Sequence, residues 1–120
     1  LDNRLETKPL PIATCPLPPV KKFAKRGGRF GAHNLHENRP VKGAWQSERF
    51  VVGTFFNGGV RAFDLSNPFQ PVEVAHAVPP APRKSPKKAI QLNDVLVDDR
   101  GVLFTVDRMI GGLYAYELRL

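Results

Sequence analysis

The densest run of side chains able to do chemistry is Gly27-Gly28-Arg29-Phe30-Gly31-Ala32-His33-Asn34-Leu35-His36-Glu37-Asn38-Arg39-Pro40. Three readings of it compete. In the first, His33 and His36 are imidazole ligands of a transition metal, with Glu37, Asp94, His76 or a residue outside these 120 completing the set. In the second, His33, Asn34, Glu37 and Arg39 build a polar pocket for a small molecule. In the third, the run is a hydrogen-bonded strand start, with Glu37 and Arg39 forming a solvated ion pair. Two histidines three apart are not diagnostic, because residues i and i+2 share the face of a strand and i and i+3 do not. An odd separation on an extended segment sends His33 and His36 to opposite sides. That favours His33 for function and His36 for a structural hydrogen bond.

Other reactive types read as structural. Asp64 precedes Ser66-Asn67 and suits a turn acceptor. Arg61 and Asp107 stand inside strand-like segments without a partner pattern. The lone Cys15 has no internal partner and no sign of a lowered pKa. Trp45 is isolated and suits packing. Gly27-Gly28-Arg29-Phe30-Gly31 lacks the strand, turn and helix that a phosphate loop requires.

The elements that must position these residues come from a near-repeat. Phe50 to Leu65 is echoed by Leu103 to Leu118, and Gly58-Gly59 recurs as Gly111-Gly112, 53 residues on. A period near 50 made of strands predicts propeller blades. In the first unit, residues 31–37 form a first strand or the turn into it, 49–56 a second strand, and 60–65 a third. The turn 66–71 follows, and 72–78 make the fourth. Asn57-Gly58-Gly59 marks the hairpin, since Asn-Gly adopts positive φ cheaply. The second unit has strands at 90–97, 102–106 and 113–118, with no fourth. Residues 10–19 enter and leave by Pro, like residues 70–80, and read as an outer strand of a preceding blade.

The fold expected is therefore all-β: an incomplete β-propeller with one complete four-stranded antiparallel blade and parts of two neighbours. Residues 1–120 read as its C-terminal fragment, with 10–19 from the preceding blade, 31–80 the complete blade and 90–118 three strands of the last. The remaining blades are the expected partners, since one and a half blades cannot bury their faces alone. Setting Leu35 against Val95 matches His33-Asn34 with Asn93-Asp94. The first strand of a blade lines the channel. Asn93 and Asp94 thus join the candidate site at its mouth, against the alternative that they cap loops.

Composition limits the classes. With 12 Pro and 10 Gly, long helices are disfavoured. No run of 18 apolar residues exists, so no membrane-spanning helix is expected. No targeting segment is visible, and the compartment is left open. The net charge of +7 rests largely on two clusters, residues 21–26 and 83–88. Phosphate neutralisation on a nucleic acid would use such clusters. Their positions beside Pro and Gly favour two solvated loops instead.

Gly58-Gly59-Val60-Arg61-Ala62-Phe63-Asp64-Leu65-Ser66-Asn67-Pro68-Phe69-Gln70-Pro71-Val72-Glu73-Val74 resembles the LVIVD repeat, and Gly112 to Leu118 resembles its start, with Glu117 at the usual Asp position. The resemblance spans about two thirds of the chain. It implies a β-propeller distantly similar to selenium-binding proteins and lactonase-like propellers, and it specifies fold far better than function. It leaves two classes. One is a scaffold that binds a small molecule or protein at a polar channel mouth. The other is a metal-dependent oxidase or hydrolase using His33, His36, Glu37, Asn93 and Asp94.

Overall fold

The computed structural model describes residues 1–120. It is all-β apart from a single helical turn, α1 (Val20–Phe23). The strands are β1 (Phe50–Thr54), β2 (Val60–Asp64), β3 (Val72–Ala77), β4 (Leu92–Val97), β5 (Val102–Asp107) and β6 (Gly112–Glu117). They form two antiparallel three-stranded sheets, ordered β1-β2-β3 and β4-β5-β6. No helix is long and apolar enough to cross a membrane.

Each sheet is a meander whose turns are set by local chemistry. After β2, the Asp64 carboxylate accepts the Ser66 amide at 2.8 Å and the Ser66 hydroxyl at 2.6 Å. It also takes the Arg49 guanidinium at 2.6 Å. Arg49 first, then Ser66, hold the Asp64 carboxyl well below the usual carboxylate range. After β5, buried Asp107 accepts three main-chain amides, from Gln91 at 2.8 Å, Ile110 at 3.1 Å and Gly111 at 2.7 Å. Asp64 and Asp107 thus spend their oxygens on the turns that follow their strands, on Arg49 and on the Gln91 amide.

The core lies between the sheets. Val52, Val60 and Ala62 of the first sheet meet Leu92, Val97 and Leu103 of the second, together with Ile90 just before β4. Fully burying a Val or Leu side chain contributes about 1.5–3 kcal/mol, so this contact holds the two sheets together. Trp45 packs against the same cluster. Its amide donates to Val97 O at 3.0 Å, which fastens the 41–47 segment to the edge of β4.

The register reveals how far the two units repeat. Val52 pairs with Ala62 as Phe104 pairs with Ala115, and Thr54 with Val60 as Val106 with Leu113. The first-sheet face that packs on the second sheet is therefore equivalent to the outward face of the second sheet. That outward face is apolar and open: Leu96, Val106 and Leu113 are exposed there.

Two expected strands differ. Residues 31–37 contribute a short ladder to the free edge of β1: His33 N to Thr54 O at 2.9 Å, Thr54 N to Asn34 O at 2.9 Å and His36 N to Val52 O at 2.8 Å. The expected outer strand at 10–19 pairs with no sheet; only Leu10 is bridged, to Asp2. Its prolines lack the amides a ladder needs. The chain that follows instead covers the far face of the first sheet. Pro18 and Phe23 are buried there, and the Arg61 guanidinium lies 5.2 Å from the Phe23 ring centre.

Candidate functional site

The repeat that aligns His33-Asn34 with Asn93-Asp94 also brings them together. A register shift between Leu92 and Asp94 leaves Asn93 as an extra residue in β4. Such a bulge takes one residue out of the ladder and re-aims its groups. The Asn93 carbonyl is thereby free to accept the His33 Nδ1–H at 2.7 Å and the Thr54 hydroxyl at 2.9 Å. Because a carbonyl can only accept, His33 carries its proton on Nδ1, and in the neutral ring Nε2 then has the lone pair. The His33 ring stands edge-on to Phe56, 4.6 Å between centres.

Beside it, the Asn34 side-chain amide donates to the Asp94 carboxylate, and Asn93 Nδ2 donates to the other Asp94 oxygen at 3.3 Å. Asn93 Oδ1 is buried with no partner. The cluster therefore combines one carboxylate, two amides, one imidazole nitrogen with a free lone pair and one unfilled acceptor. These groups can bind a polar molecule through hydrogen bonds. No serine or cysteine nucleophile belongs to this hydrogen-bonded group. Cys15 lies elsewhere, half-buried, and burial pushes its thiol above the ordinary value.

The other candidates go to different places. His36 is 8% exposed and sits between the sheets. Its Nδ1 accepts the Val97 amide at 3.0 Å, and its Nε2–H donates to Trp45 O at 2.8 Å. Both ring nitrogens are used, and the imidazoles of His33 and His36 serve different partners. No group of three or more His, Cys, Asp or Glu side chains is assembled to hold a metal ion. Glu37 and Arg39 pair with each other at the surface and make no hydrogen bond or ion pair to the cluster. His76 lies on β3, where its Nδ1 meets Glu73 at 2.9 Å.

Sequence reasoning missed Thr54 and Phe56. Thr54 looks like any β-branched strand residue. Only the contact between sheets turns its hydroxyl toward Asn93. Phe56 carries φ +49, an unusual value for a bulky residue, and exchanges main-chain bonds with Leu92 at 3.0 and 3.2 Å.

Replacing His36 by Ala should destabilise the protein by about 2–3 kcal/mol. It opens a cavity and leaves the Val97 amide and Trp45 carbonyl unpaired between the sheets. Denaturant unfolding checks this; an unchanged midpoint would mean that the imidazole does not join the sheets.

Comparison with known proteins gives no match to any family model, curated protein or solved structure.

Proposed function

We propose that this chain is a stretch of a β-propeller of the LVIVD-repeat kind, and that it acts as a binding scaffold. Its ligand site is the polar cluster of His33, Asn34, Thr54, Asn93 and Asp94 at the channel mouth. The observation that carries the reading is the meeting of equivalent positions from successive repeats. His33 and Asn34 of one unit bond Asn93 and Asp94 of the next. In a propeller, first strands lie side by side around the axis, and their polar residues converge at one end of it. The open face of Leu96, Phe104, Val106 and Leu113 supports the same reading. Its equivalent in the first sheet is already covered by a neighbouring sheet. The next blade of the same protein is its natural cover.

The ligand class follows from the donors and acceptors: a small polar molecule with hydroxyl or amide groups, held by hydrogen bonds. A thermal-shift screen of the intact protein against sugars and small amides should find compounds that raise its unfolding temperature. Asp94→Ala should abolish the shift while leaving the unliganded protein folded. A shift that survives in Asp94→Ala would overturn the site. Electron microscopy of the intact protein should give a closed ring, and an open stack would overturn the propeller.

A further inference from the structure

Three cations far apart in sequence come together at one end of the fold. Arg29, Lys87 and Arg108 line a single cavity of about 380 Å³ with Gly28, Gln91 and Met109. No carboxylate lines it. Six of the ten arginines are neutralised by an acid. Arg4, Arg39, Arg49, Arg61, Arg100 and Arg119 each pair with a carboxylate. Arg29 and Arg108 pair with none. Three like charges around one cavity repel, and no carboxylate on its walls offsets them. The adjacent acid, Asp107, spends its oxygens on three main-chain amides.

The cations are held in place by a buried residue. Gln91 is 1% exposed. Its Oε1 accepts the Arg29 amide at 2.7 Å, its main-chain carbonyl accepts the Arg108 amide at 3.1 Å, and its Nε2 donates to Ile90 O at 2.6 Å. One residue thus fixes the backbone origins of both arginines, Arg29 through its side chain and Arg108 through its main chain. Each guanidinium then lies 5.8 Å from the centre of the Phe56 ring. Phe56 is a common support that orients both forks.

We propose that this cavity binds the phosphate group of a small phosphorylated molecule. Two guanidinium forks and an ammonium match a dianionic tetrahedral oxyanion in charge and in donor geometry. A carboxylate offers one charge and two oxygens, which leaves a cation unmatched. A nucleic acid strand fits less well. The cations converge on one cavity instead of following a groove, and the buried Phe56 presents no open ring for a base to stack on. The proposal does not depend on the polar cluster around Asp94.

Calorimetric titration of the intact protein at low salt tests it, with inorganic phosphate and phenyl phosphate as probes and benzoate as the carboxylate control. Phenyl phosphate should bind one to one, about tenfold or more tighter than benzoate. Arg29→Gln and Arg108→Gln should each weaken it about tenfold or more with an unchanged unfolding temperature. Lys87→Gln should do the same if either arginine variant proves poorly folded. Arg119→Gln and Asp94→Ala should bind like the parent. Failure of both phosphates to bind overturns the proposal, as does an equal loss in Arg119→Gln, which would mean diffuse charge. A matching loss in Asp94→Ala would move the anion to the polar cluster. A single-stranded oligonucleotide that displaces phenyl phosphate at lower concentration would identify a nucleic-acid surface, and either result sinks the assignment.

Discussion

Replacing Glu73 by Ala should cost about 3 kcal/mol of stability. The reason is the partner it abandons. Arg61 on β2 has a side chain only 2% exposed. Its Nη1 reaches both Glu73 oxygens, at 2.7 and 2.6 Å, while Nε and Nη2 donate to Gly58 O at 3.1 and 2.9 Å. Removing Glu73 leaves a buried guanidinium with a neutral carbonyl and the Phe23 ring as its remaining support. The loss shrinks in the double variant Arg61→Met with Glu73→Leu. No charge is then stranded, and most of the loss should be recovered. Denaturant unfolding of both variants decides the matter. A loss below about 1 kcal/mol in Glu73→Ala would put the pair in the class of solvated surface bridges.

The second large effect separates two glycines that look alike in sequence. Gly59 and Gly112 occupy equivalent places in the two hairpins, with φ +83 and φ +73. A side chain at Gly112 would meet nothing within 4 Å, whereas at Gly59 it would run into the Ala77 carbonyl oxygen and come within 2.8 Å of Val78 Cγ2. Gly112→Ala should therefore cost only the backbone strain of about 1 kcal/mol. Gly59→Ala should cost that strain plus a collision with main chain that cannot rotate away, about 3 kcal/mol or more. Equal losses at the two positions would show that β3 is not seated against the first hairpin.

Much of this arrangement is legible because it is local. Asn57-Gly58-Gly59 and Asp64-Leu65-Ser66 carry their turn geometry in their own chemistry. The strands around them follow from β-branched and aromatic runs. Part of the candidate site was legible for a different reason. A repeat lets residues of one unit be set against those of the next, so His33-Asn34 could be matched with Asn93-Asp94 without knowing any contact. What could not be read depends on faces meeting. Trp45 O, Val97 N and His36 come from three segments, and nothing in any one of them announces the imidazole bridge. The approach of residues 27–29 to 87–91 is likewise a product of chain path. It sets Arg29 and Lys87 on one cavity, which neither segment shows by itself.

The covering of the first sheet by Pro18 and Phe23, with the second sheet left bare, gives the stack a polarity. A sheet face of one kind seats on a face of the other kind, so the contact is not self-complementary, and copies cannot pair symmetrically across it. Growth would have to proceed head to tail, and the head is already occupied by the chain's own Pro-rich segment. A further sheet on that side would meet Pro18 and Phe23 before it met β2.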